Sequence, residues 1–164
     1  LARAAEFGVR RADHEITDQA SIEAVLDRAP YLILGLCRGG EPYVVPVSFG
    51  FTDGRIYFHT GAKGLKMDLL RANPRVSFAA VIQPVPVKGE TACKWNMDYR
   101  SVIGFGRAVI ITDEAEKVGG LAAITAHYAG PGDYEFPPEK VRAATVVRID
   151  PETMTGKRGR IDGQ

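Results

Sequence analysis

The 164-residue chain has only two cysteines, three histidines and one tryptophan, and its 21 lysines and arginines nearly cancel 20 acidic residues, leaving a formal charge of +1. Each shortage excludes something. Near neutrality removes bulk attraction to nucleic acid or an anionic membrane, so any bound anion must be held by a local site. Cys37 and Cys93 are separated by several expected elements and read as thiols, Cys37 as a core filler on a strand and Cys93 in a loop. The histidines and cysteines show no CxxC, HxxxH or HExxH spacing, so no metal centre is expected. The longest apolar stretches, Tyr31 to Cys37 and Val102 to Thr112, are interrupted by glycine or arginine and fall short of the ~20 residues that span a bilayer. Leu1 to Arg11 holds three arginines without an apolar core or a cleavage signal, so cytoplasm is the default expectation.

What remains is average globular composition, 45% hydrophobic and 25% charged, at a length that suits one domain with a real core. After Thr17 or Asp18, either a fair N-cap, Ile22, Val25, Leu26 and Ala29 recur at helical spacing until Pro30, which predicts a short amphipathic helix. Tyr31 to Cys37, Pro42 to Phe51 and Arg55 to His59 read as strands joined by glycine-bearing turns, most simply a three-stranded meander. A helix carrying Leu65, Leu69 and Ala72 ends at Asn73-Pro74, and Arg75 to Ile82 returns to a strand. Gln83 to Asn96, with Pro84, Pro86 and Gly89, reads as a long loop and a functional candidate. Tyr99 to Thr112 is a β-run whose Gly104 and Gly106 predict a bend or bulge. Asp113 and Glu116 have capping-box spacing before a helix that ends near Gly130, and Ala143 to Asp150 is the last strand before a basic tail. About six strands in hairpin order predict a mainly β protein, a closed or nearly closed antiparallel barrel with flanking helices.

The stretch from Ile56 to Lys66 concentrates the chemistry. A strand enters the turn Gly61-Ala62-Lys63-Gly64 and opens a helix, so backbone N–H groups without intrahelical partners converge near Lys63 and Lys66. That pattern suits a phosphate; the alternative is a plain turn with two solvated lysines. No Walker loop, GxGxxG or GxSxG elbow is present. His59 ends the strand, where its imidazole either exchanges a proton near neutral pH or bonds backbone. His14 and His127 read as structural or solvated. Trp95 lies in a segment without strand alternation, which favours a site or interface role over the core. Arg100 is either an edge charge or a contact for a ring carbonyl or an anionic substrate. Lys157, Arg158 and Arg160 read as a solvated tail within reach of a phosphate in a dimer.

Arg10-Arg11-Ala12-Asp13-His14-Glu15-Ile16-Thr17-Asp18, Gly40 to Gly50 (GEPYVVPVSFG), Gly54 to His59 (GRIYFH), Asn73-Pro74-Arg75-Val76 and Tyr99 to Gly106 (YRSVIGFG) together resemble the nitroimidazole-resistance protein family. That family belongs to the pyridoxamine 5′-phosphate oxidase-like flavin-binding split barrels. The resemblance runs from residue 10 to residue 157, implying one FMN-binding split-barrel domain with flexible termini at 1–9 and 158–164. It implies a homodimer with a flavin at the subunit interface, FMN or alternatively FAD, and a small-molecule substrate, with no nucleic-acid or membrane partner. By resemblance, Pro46, Val47, Ser48 and Phe49 pass along the isoalloxazine ring, with backbone groups and the Ser48 hydroxyl at its polar edge. His59, Thr60, Lys63, Gly64 and Lys66 belong to the segment leading to the flavin phosphate, and His59 is the candidate catalytic proton donor. Arg100, Ser101 and Val102 resemble the strand contributed by the neighbouring subunit, and Trp95 matches an aromatic position that covers the site. Many oxidase-type members carry Ser-Arg-Lys where this chain has Gly61-Ala62-Lys63, so one arginine contact is missing and Lys66 is its candidate substitute. That departure argues against true pyridoxamine-phosphate oxidase activity. The implied function is FMN-dependent reduction of a small molecule such as a nitro-aromatic. The rival is a flavin-, haem- or deazaflavin-binding split barrel that carries electrons or ligand without a dedicated substrate.

Overall fold

Leucines at positions 32, 34 and 36 are buried while Ile33, Gly35 and Cys37 between them are half-buried, the period-2 pattern of a strand with one face on a core. In the computed structural model, which describes residues 9–159, this is β2 (Leu32–Arg38). It is preceded by β1 (Glu15–Ile16) and α1 (Gln19–Arg28), and followed by β3 (Glu41–Val47), β4 (Gly50–Thr52) and β5 (Arg55–Thr60). Then come α2 (Leu65–Ala72), β6 (Arg75–Val87), β7 (Asn96–Ile110), α3 (Glu114–Ala129), α4 (Pro138–Ala143) and β8 (Thr145–Arg158). The expected flexible termini, 1–9 and 158–164, fall largely outside the described residues, but Lys157 and Arg158 are strand residues of β8 rather than a tail.

One antiparallel sheet runs β3-β2-β6-β7-β8-β5-β4, with β1 paired to β8. Six of its strands are long; β1 and β4, two and three residues, raise the total among the described residues to eight. The sheet curls around a core containing Leu26, Phe49, Phe58, Met67, Phe78 and Ile149, all fully buried. The first and last strands of the path are not paired with each other, so the barrel is split. That corrects the meander: Pro42 to Phe51 is not one strand. Alternation holds to Phe49, then fails, because Phe49 and Gly50 are both buried. The chain leaves β3 at Ser48, drives Phe49 into the core, and resumes as β4 at the opposite edge of the sheet.

The expected loop over 83–96 is strand as far as Val87 and again at Asn96. Prolines 84 and 86 predicted a break, yet β6 continues to Val87 because the β6–β7 register shifts between Ile82 and Val85, with Gln83 at φ 52°. The bulge takes Pro84 out of the β6–β7 pairing, so the N–H that proline lacks is not needed there. The connection shrinks to 88–95 at the tip of a β6–β7 arm. Gly106 lies where the β7–β8 register shifts, but the extra residue is Glu152 of β8, so the bulge expected of β7 belongs to its partner strand. A side chain on Gly104 would overlap the Phe78 ring.

Local signals elsewhere are precise. Asp18 caps α1 by accepting from the Ser21 N–H at 2.8 Å, and Asp113 caps α3 by accepting from the Glu116 N–H at 2.8 Å. Glu116 does not complete the capping box; its carboxylate pairs with Arg148 at 2.5 Å. α4 was not anticipated in the proline-rich connection. His14, 7% exposed, donates from Nδ1 to the Arg158 carbonyl at 2.7 Å, stapling the N-terminal segment to the end of β8. His127 donates to the Ala29 carbonyl at 2.7 Å with its ring 4.6 Å from Phe49. Cys37 is not a core filler: with Leu34 and Leu36 pointing inward, it lies on the outer face.

The helix on the β4 edge depends on one missing side chain. A Cβ on Gly50 would overlap the backbone of Ala123 and Ile124 in α3. Gly50→Ala is therefore expected to force β4 off α3 and to cost about 2 kcal/mol in chemical denaturation. A variant as stable as the parent would refute this contact.

Candidate functional site

Strand alternation creates an outer face on β3, β2, β6, β7 and β8. The register places Pro46, Ile33, Ala79, Ile103 and Thr155 in one row across these five strands. Its neighbours on the same face include Val44, Tyr31 and Val81, and the row is apolar yet open: Val44 is 63% and Ile103 51% exposed. Patches of this kind on a soluble chain mark interaction surfaces. Trp95, 53% exposed, and Met97 extend it at the tip of the β6–β7 arm.

Ser48 leaves β3 exposed at the edge of this face. The β4–β5 ladder ends at Gly50 opposite Tyr57, and Ser48 and His59 each stand two residues beyond that end. The crossing from β3 to β4 and the exit from β5 therefore meet at one end of the ladder. His59 is exposed and has no hydrogen-bond partner among the described residues, whereas Thr60 is half-buried opposite Thr145.

Beyond Thr60 the turn reaches Gly64 at φ 110°, a left-handed conformation that glycine adopts without strain, and α2 begins with no side-chain cap. The N–H groups of Leu65, Lys66 and Met67 precede the first helical bond, from the Asp68 N–H to the Gly64 carbonyl. Arg71 clamps the turn, donating to the Ala62 carbonyl at 2.9 Å and lying 3.7 Å from Asp68. Lys63 is exposed. Lys66 is half-buried with its ammonium 5.6 Å from the centre of the Phe58 ring, and desolvation pulls its pKa below the usual lysine value. Neither lysine has an acidic partner among the described residues. A partly desolvated cation without a counter-charge, beside free N–H groups, fits a phosphate ester.

The segment around Ser101 is elsewhere. Val47 pairs with Leu32, and the β2–β6–β7 register carries that row to Val102. Val47 and Val102 are thus three strands apart, roughly 14 Å at the usual inter-strand spacing. Within one chain Ser48 and Ser101 therefore stand three strands apart on the sheet.

A family model described as pyridoxamine 5′-phosphate oxidase matches residues 18–158. The chain belongs to the pyridoxamine 5′-phosphate oxidase family. As a member, it is similar in structure to a candidate 5-nitroimidazole antibiotic resistance protein from Bacteroides thetaiotaomicron. That likeness has a TM-score of 0.78 at 29% identity, over 88% of this chain and 86% of that one. It shares its fold with the flavocytochrome Anf3 of Azotobacter vinelandii (TM-score 0.79, 24% identity, 93% and 72% covered). It also shares its fold with an FAD and heme binding protein of Mycobacterium smegmatis (TM-score 0.80, 18% identity, 90% and 74% covered). Among curated proteins, 44 residues are 39% identical to an uncharacterized protein of Rhizobium meliloti (strain 1021), a match spanning 27% of this chain and 28% of that protein.

For this family member, several residues implied by resemblance have other duties in the structure. Phe49 is fully buried, and its N–H donates to the Tyr128 hydroxyl at 3.2 Å, which itself donates to the Pro30 carbonyl. Val47 and Val102 are buried on the inner face, and the Val102 backbone lies between two ladders. Their side chains pack the core and leave Pro46, Ser48 and Ser101 as the surface positions. Arg100 parts from Ser101 because consecutive strand residues face opposite sides; it donates to Gln83 at 3.1 Å and lines a separate pocket with Arg158. Arg71, whose clamp shapes the turn, went unnoticed in the sequence because its partner, the Ala62 carbonyl, carries no side-chain signal. No group of metal-ligating side chains occurs among the described residues, and no helix among them is long and apolar enough to cross a membrane.

Proposed function

We propose that this chain is a flavin-dependent oxidoreductase of the nitroimidazole-resistance type, a cytoplasmic homodimer that binds FMN at its subunit interface and reduces a small molecule such as a nitro-aromatic. The observation that carries the reading is the pair of unpartnered lysines at the opening of α2, supported by the 29% identity to the Bacteroides protein. Lys63, Lys66 and the N–H groups of residues 65–67 would hold the phosphate. Pro46 and Ser48 would line the ring. The partner's β7 would complete the site, since the outer apolar face needs a cover and Ser101 stands three strands from Ser48 within one chain. Flavin, when bound, supplies the redox chemistry. The chain's own residues bind, orient and exclude water, and the His59 imidazole, exposed at the end of β5, is placed to hold or deliver a proton. FMN is the flavin proposed, with FAD as the alternative.

The absorption spectrum of the purified protein tests the reading. Flavin bands, retained or regained on adding FMN, are expected. A Soret band would favour the haem-binding rival, whose fold is shared by the Azotobacter and Mycobacterium proteins. A colourless protein that takes up no FMN would reject the cofactor. Anaerobic mixing of the reduced holoprotein with a nitroimidazole is then expected to reoxidise it, and no nitroimidazole-dependent reoxidation would favour an electron carrier.

A further inference from the structure

Outside the proposed flavin site, a pocket of about 290 Å³ opens between β1, the start of α1 and the ends of β7 and β8. Arg100 and Arg158 line it together with Thr17, Ser21, Glu15 and Asp18. The two arginines are direct partners in the β7–β8 register, so two like charges stand opposite each other on neighbouring strands. Such a pair is destabilising by itself. No carboxylate within 4.0 Å relieves it among the described residues: the one side-chain bond of Arg100 is to the neutral Gln83. Nε of Arg158 is the only buried side-chain nitrogen or oxygen among the described residues without a hydrogen-bond partner. Of the acids that line the pocket, Asp18 caps α1 through the Ser21 N–H, and Glu15, opposite Lys157 in the β1–β8 ladder, makes no ion pair with either arginine.

We propose that this pocket binds the carboxylate or phosphate group of a small molecule between Arg100 and Arg158. An oxyanion satisfies both defects at once: it separates the guanidinium charges and accepts from the orphaned Nε–H, a geometry for which the planar arginine fork is suited. The Thr17 hydroxyl stands at the rim as a neutral donor, while the Ser21 hydroxyl serves Asp18. Because Ser101 faces the other side of β7, the pocket is distinct from the proposed flavin surface. The chain itself carries the same chemistry in Asp162, four residues beyond Arg158, and the test separates the two sources.

In a Lys63→Ala, Lys66→Ala background, which removes phosphate binding at the α2 turn, the ¹⁵N-labelled full chain is titrated with inorganic phosphate at constant ionic strength. The Arg158 Nε–H resonance is expected to shift saturably, and Arg158→Gln to bind phosphate about tenfold more weakly by calorimetry. A stationary Arg158 signal, or equal affinity in Arg158→Gln, overturns the site. Unchanged phosphate affinity in Asp162→Asn supports an external ligand. Tightening of about tenfold in that variant would assign the pocket to the chain's own carboxylate and overturn the small-molecule proposal.

Discussion

Replacing Lys63 and Lys66 together by alanine is expected to weaken FMN binding about a hundredfold in a fluorescence titration, the loss of two charge-assisted contacts at ~1.5 kcal/mol each. The reasoning starts from Lys66. Its ammonium is partly desolvated over Phe58 with no acid beside it, so the folded apoprotein pays for keeping it charged. The folded pKa is depressed below the unfolded value. The cost is therefore fully present below the folded pKa and relieved as pH rises through it toward the unfolded value. Lys66→Met, which keeps the apolar stem, is accordingly expected to raise the thermal stability of the apoprotein at neutral pH while weakening FMN. A phosphate reverses that balance by supplying the missing counter-charge. FMN affinity should fall with alkalinity before an ordinary lysine would titrate, and Lys66→Met should lose that early fall. Titrations unchanged in the double variant would remove the phosphate assignment.

Ile103→Glu is expected to convert the proposed flavin-loaded dimer into a flavin-free monomer. Ile103 lies in the apolar row that joins β3 to β8, and it is 51% exposed in the single chain. A carboxylate there costs little in the monomer, because water still reaches it. In a dimer that covers this face the charge would be buried without a partner, at about 3 kcal/mol or more for each of two symmetry-related sites. Light scattering and the flavin absorbance read the two consequences separately. A dimer that persists with its flavin would show that another face makes the interface. A monomer that keeps stoichiometric flavin would show that one chain completes the site, against the three-strand separation of Ser48 from Ser101. Unaltered circular dichroism in the monomer would confirm that the fold itself survives.

The candidate turn was legible in the chain because its signals are local. The turn before α2 announces itself through Gly61, Lys63 and Gly64 within four residues, and the structure leaves both lysines without acidic partners. Ser48 and His59 were legible as candidates by resemblance, and they do meet at one end of the β4–β5 ladder. Phe49, Val47 and Val102 carried the same family signal but point into the core. A short motif does not say which face of a strand is inward; alternation decides it, and the break at Phe49–Gly50 is invisible without knowing what packs there. Arg71 went unread, and Arg158 was read as part of a solvated tail, for a different reason. One acts on a backbone carbonyl and the other matters through its register partner, neither of which leaves a spacing in the sequence.

The two cysteines, three histidines and +1 charge with which the chain presents itself determined that no histidine–cysteine metal centre or bulk electrostatic partner was to be expected, and that an anion would need a local site. Caps, turns and strand periods were likewise determined by near neighbours, since hydrogen bonds and side-chain directions over a few residues depend on little else. Only the tertiary structure decided that β3 and β4 lie at opposite edges of the sheet, that proline-bearing residues 84–87 form an arm, and that Arg100 faces Arg158 rather than Ser48. Those outcomes are set by pairings between residues tens of positions apart, whose energies come from burying the shared core and which no local pattern encodes.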